Sequence, residues 1–158
     1  MEQPAAGPEL STHDRRVLEA APLWILTAVA GRQNRFEPQE LAAFWRAVDG
    51  AAAGEVGLAH STLLALSDDF SARLRDHADE SRSVVTGLWE VTAILARLDP
   101  LVSGPFVAAL LEVARMLCTA RGPYGRSISS EDARTLLLLE ALLEIDPAAS
   151  RFERDAFA

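Results

Sequence analysis

Val84, Leu88, Val91, Leu95 and Leu98 recur at steps of four and three residues, with Trp89 and Ile94 widening the same apolar face. This spacing follows the 3.6-residue turn of a helix and not the two-residue alternation of a strand. The segment predicts an amphipathic helix, and the breadth of its face predicts that it lies at the centre of the fold. Composition carries the reading to the whole chain: 28 Ala and 23 Leu stand against 4 Ile and 10 Val. Helix formers outnumber β-branched strand formers throughout, so the expected class is all-α.

Six further segments fit this class. Ser11 and Asp14 have capping-box spacing and open a short helix through Val17, Leu18 and Ala21, which Pro22 is expected to end or kink. A second helix over 22–31 carries Leu23, Trp24, Leu26 and Val29 and stops at Gly31, ahead of a polar loop over 32–37. Pro38 restarts the chain with Leu41, Phe44, Trp45 and Val48 on one face, its weak end bracketed by Gly50 and Gly54. Ala59, Leu63, Leu66, Phe70 and Leu74 form one long helix or two broken near Ser67. Asp99 and Pro100 end the 84–98 helix, and Ser103 to Pro105 start another with Phe106, Leu110, Val113 and Leu117. Ser129 and Asp132 cap the last, which runs through Leu136, Leu139, Leu142, Leu143 and Ile145 to Pro147. Six or seven helices result. They leave too little polar surface for an extended rod, so a compact bundle is expected, a single domain over 11–146 between mobile tails at 1–10 and 147–158.

The stretch Leu23-Trp24-Ile25-Leu26-Thr27-Ala28-Val29 reappears as Leu88-Trp89-Glu90-Val91-Thr92-Ala93-Ile94. After each copy the chain passes a loop and enters another apolar helix, which suggests a duplicated helical hairpin with halves at about 11–79 and 80–146. Each Trp lies on its helix's apolar face, and Trp24, Trp45 and Trp89 are expected in the core.

Around these helices three segments share a further pattern. Ala28-Val29-Ala30-Gly31 leads to Glu37-Pro38-Gln39-Glu40-Leu41. The run from Ala93 to Pro100 leads to Ser103 and Phe106, and Ala120-Arg121-Gly122 leads to Ile128-Ser129-Ser130-Glu131-Asp132. An apolar helix, a short loop, then a helix opened by Ser or Pro and Glu resembles the tellurite-resistance TerB-like family. The resemblance implies a helical domain of bacterial stress or defence systems at the cytoplasmic side of the membrane, with loop acids that can hold a divalent cation. Carried over residue by residue, those acids are Glu40, Asp99, Glu131 and Asp132. No copy keeps both acids of the pattern, and one carboxylate per loop falls short of the six or more oxygens a hard cation takes.

Other chemistry is sparse. The sequence has no Gly-x-Ser-x-Gly elbow, phosphate-binding glycine loop or zinc-type cysteine spacing. No catalytic residue or cofactor is therefore assigned. His13, His60 and His77 are not spaced as i, i+4 ligand pairs, and surface or capping roles are expected. The acids around His77 (Asp68, Asp69, Asp76, Asp79 and Glu80) read as a solvated helix end. Cys118 falls on an apolar face, where a thiol is inert. The loop from Arg121 through Tyr124 to Arg126 holds the chain's only Tyr between turn residues. It reads as a tight connection, and its Tyr and Arg types also suit an interface.

Fifteen Arg, no Lys and 23 acids give a net charge of −8, which repels phosphate backbones and makes nucleic acid an improbable partner. Met1 to Leu10 has neither the basic nor the apolar region of a secretory signal. The longest nearly apolar stretch, 20–31, is short of the roughly 20 residues a bilayer requires. These features predict a cytoplasmic, non-enzymatic interaction domain with a protein partner or a second copy of itself. A divalent-metal domain and an apolar-ligand bundle or enzyme are the alternatives.

Overall fold

The computed structural model describes residues 9–31, 36–52, 57–121 and 127–144. They form seven helices and no strand: α1 Thr12–Ala30, α2 Pro38–Ala52, α3 Leu58–Asp68, α4 Phe70–Ala78, α5 Val84–Leu95, α6 Pro100–Arg121 and α7 Ser130–Leu143. The chain is an all-α bundle. The tails before residue 9 and after 144, and with them Ile145, Pro147 and Gly54, lie outside the described residues.

The helix starts follow their caps. Ser11 Oγ accepts from Asp14 N at 3.0 Å while Asp14 Oδ2 accepts from Ser11 N at 3.2 Å, a complete capping box. Ser129 Oγ accepts from Asp132 N at 3.1 Å at the start of α7. Gly31 ends α1 at φ 84°, a left-handed conformation in which a side chain is strained. The segment over 58–78 resolves as two helices that break at Asp69, where φ −135° and ψ 35° interrupt the turn.

Prolines correct the predicted boundaries. α1 runs through Pro22 as one helix of 19 residues, and α6 begins at Pro100 and encloses Pro105. An interior proline costs about 3 kcal/mol in lost hydrogen bonding and steric strain. At Pro22 the cost is offset by burial on both sides: Leu18, Ala21, Leu23, Ile25 and Leu26 are each at most 2% exposed.

The central helix is also not the predicted one. α1 packs against α3, α4, α5, α6 and α7, and every residue from Ala21 to Leu26 is buried. A run apolar on all sides, such as Ala21 to Leu26, belongs inside, whereas α5 is apolar inward and solvated outward. α2 packs on α6 and α3, and α7 lies against α5, α6 and α1. The first half of the chain therefore interleaves with the second. The two sequence copies lie in packed helices, α1 on α5, but in different surroundings: Trp24 is 4% exposed and Trp89 62%. Trp89 is not a core residue, and Trp45 is half-buried, its ring 4.4 Å from that of Phe70.

α6 is the one described helix long and apolar enough to cross a bilayer by length and composition. Here it packs on α1, α2, α3 and α7 and buries Phe106, Leu110, Val113 and Leu117 in the common core.

α5 approaches α1 closely at Gly87. A Cβ at this position would overlap the six-membered ring of the Trp24 indole, and the ring is itself buried and unable to swing away. Gly87→Ala is therefore expected to destabilise the fold by about 1–3 kcal/mol, the range for overpacking a filled core. Urea unfolding of the variant, alone and combined with Trp24→Phe, checks this: the smaller ring should restore part of the loss.

Candidate functional site

The four predicted acids occupy helix starts. Glu40, in the first turn of α2, accepts from Glu37 N at 3.3 Å and lies 4.0 Å from Arg121 Nε. Asp99 Oδ1 accepts from Leu101 N at 2.8 Å and so caps α6. Glu131 and Asp132 form the first turn of α7, where Asp132 is 7% exposed. Acidic groups at these positions meet unpaired N–H groups and the positive end of the helix dipole. Among the described residues no group of three or more His, Cys, Asp or Glu is placed to hold a metal ion.

Arg121 is exposed, and its guanidinium is engaged by groups of the same chain. Its Nη1 donates to the Val29 carbonyl near the end of α1, and its Nε faces Glu40, so one guanidinium joins the ends of α6 and α1 to the start of α2. Tyr124 and Arg126 lie outside the described residues.

Cys118 is fully buried on α6, its Sγ 4.0 Å from the Asp132 carbonyl oxygen. Burial pushes its thiol up to about 11, the nearby Asp132 carboxylate adds to the rise, and Arg121 opposes it. A thiol so protonated and enclosed is a poor nucleophile. Ellman's reagent at neutral pH should leave the native chain unmodified and titrate one thiol after denaturation.

The most structured polar site sits where α1, α4 and the linker into α5 meet. His77 places its ring edge-on to Trp24, with centroids 4.5 Å apart, and its Nε2 lies 2.9 Å from Thr27 Oγ1. Thr27 donates its single hydroxyl proton to the Leu23 carbonyl at 2.9 Å. Nε2 must then carry the imidazole proton and donate to Thr27, which leaves Nδ1 as the basic nitrogen. Beyond His77, Arg82 lies 5.9 Å from the Trp24 ring centroid. Its Nε and Nη2 each donate to Glu80 at 3.0 Å, and its Nη1 donates to Glu90 on α5. His13 Nε2 lies 3.1 Å from Glu90 Oε1 and closes the chain of contacts. A cleft of about 210 Å³ opens here, lined in part by Trp24, Thr27, Phe36, His77, Glu80 and Arg82.

Sequence reasoning set His77 among solvated residues. Glu80 is instead engaged by Arg82, and His77 is half-buried. A signal was present: Phe70, Leu74 and His77 stand at steps of four and three, so the imidazole extends the apolar face of α4. Desolvation holds His77 below its ordinary 6.5, against the pull of Glu80 and with that of Arg82, so the ring is neutral at physiological pH.

A second feature is apolar. Trp89 is 62% exposed, Leu101 85%, Leu137 66% and Leu138 65%. They lie on α5, α6 and α7, of which α7 packs against both others. Along α5, Val85, Trp89 and Ala93 are exposed one turn apart with Thr86 beside them, an outward stripe without charge. On α6 the exposed Leu101, Gly104, Pro105 and Ala108 continue that character.

Comparison of the chain with protein-family models, with curated proteins and with solved structures gives no match.

Proposed function

We propose that this chain is a helical protein-interaction domain whose docking face is the uncharged outer stripe of α5 with the exposed start of α6. The supporting observation is Trp89: an aromatic side chain 62% exposed on a helix whose other face is fully packed. Trp is the residue type most enriched at interface centres, and an exposed apolar row in a domain with 24% charged residues marks an interaction surface.

The partner we assign to this face is a second copy of the chain. Each copy carries a net charge of −8, so two copies repel over their charged faces and approach best where charge is missing. The stripe also has a self-complementary layout. Trp89 is flanked one turn away on each side by the smaller Val85 and Ala93, and antiparallel α5 helices would set each indole against the small residues of the other. A place in a bacterial stress or defence assembly belongs to the TerB-like resemblance and rests on it alone.

Sedimentation analysis tests the assignment with the wild type and Trp89→Glu, whose exposed position leaves the core untouched. The wild type should sediment as a dimer that dissociates on dilution, and the variant as a folded monomer. A wild type that stays monomeric up to millimolar concentration, or a variant that dimerises equally well, would remove the second copy as the partner.

A further inference from the structure

We propose that His77 is an acid-labile latch fastening the C-terminal end of α4 to α1, so that mild acidification releases that end and uncovers Trp24. α4 is built to move as a unit. It has nine residues and buries none of them fully, in contrast to every helix it packs on. Its N-terminal end is anchored by aromatic packing, Phe70 lying 5.7 Å from Phe44 and 4.4 Å from Trp45 between ring centroids. Its C-terminal end is held by the His77 ring against Trp24 and Thr27. Between these points Arg73 Nη2 meets Glu19 Oε2 of α1 at 2.6 Å, a charge contact without hydrogen-bond alignment.

The closed latch requires a neutral imidazole. Nε2–H is spent on Thr27, so an added proton goes to Nδ1 and charges a half-buried ring that shares its cleft with the Arg82 guanidinium. The charged groups around it are Glu19 and His13 from α1, Arg73 and Asp76 from α4, Glu80 and Arg82 from the linker, and Glu90 from α5. Carboxylates and guanidinium groups ordinarily keep their charge between about pH 5 and 7, so the histidines are the groups that change. His13 lies beside Glu90 on the α1–α5 seam. The carbonyls ending α4 and the Glu80 carboxylate favour a cation at His77, but desolvation is the larger influence. The sign follows: the released ring titrates near 6.5 and the latched ring lower, so closure is fully favoured above 6.5 and lost progressively as pH falls towards the latched value.

Amide hydrogen exchange on the intact chain reads this out. Between about pH 7.5 and about pH 5.5, after correction for intrinsic exchange, protection in the last turn of α4 should fall by up to roughly tenfold per pH unit inside the window. Amides of α1, α5 and α6 should keep theirs. His77→Gln retains an N–H donor for Thr27 and cannot titrate, so its α4 protection should be independent of pH, while His13→Gln should behave as wild type. Unchanged protection in the wild type, or an equal fall in His77→Gln, would overturn the latch. Should His77→Gln not fold, the ring proton shifts of wild-type His77 decide. A midpoint below 6.5 that coincides with the loss of α4 protection supports the latch; a midpoint at or above 6.5, or one that does not coincide, overturns it.

Discussion

The seat of the Trp24 indole on the backbone of α5 at Gly87 sets the geometry around it. The ring leaves α1, the most enclosed helix, and reaches α5 through Gly87 and α4 through His77, with the Arg82 guanidinium at its border. A Trp side chain buries roughly 150–250 Å², worth about 4–6 kcal/mol as an upper estimate at 25 cal/mol per Å². The charges beside it are weaker: an exposed ion pair contributes about 0–1 kcal/mol, and a cation over an aromatic ring about 0.5–1. Packing therefore fixes where α4, the linker and α5 lie, and the Glu80–Arg82–Glu90 contacts adjust the surface that packing has made.

The helices were legible in the sequence because their information is local. Steps of three and four residues located α2, α5 and α7, and Ser11 and Ser129 signalled the starts they cap. Prolines misled for a non-local reason. Whether Pro22 stops a helix depends on what is buried on either side, and the enclosing helices come from distant parts of the chain. The same limit applies to the choice of central helix. A broad face such as that of α5 looks central in one dimension, yet the shorter apolar run of α1 lacks a polar side altogether and is drawn deeper. Trp89 shows the cost of reading a residue by its type: its position on α5 faces outward, four residues from Val85 and from Ala93.

The site was less legible because the contacts that assemble it, His77 with Thr27, His13 with Glu90 and Arg121 with Val29, join distant parts of the chain. Glu40, Asp99, Glu131 and Asp132 stood out as acids in the sequence, but their surroundings are helix N-termini and, for Glu40, the guanidinium of Arg121. Arg121 stood out as an interface residue and donates to the Val29 carbonyl. His77 was hidden among acids, although the step from Leu74 marked it as a residue of the inward face. For His77 and Arg121 the residue type was visible and the contact that defines its role was not.

A local opening at α4 is physically separable from unfolding. Its residues contribute nothing to the fully buried core, which is drawn from α1, α2, α3, α5, α6 and α7. Elements with few buried apolar contacts open at lower free energy than the domain as a whole. α5 then carries two independent faces. Its inner face holds Trp24 through Gly87 and stays packed on α1 and α7, and its outer face presents Trp89 whether or not α4 is closed. Release of α4 adds apolar surface on the side of α1 that faces His77, while the outward stripe is unchanged. The two proposals therefore concern different surfaces of one small bundle, the outward stripe of α5 and the side of α1 that faces His77.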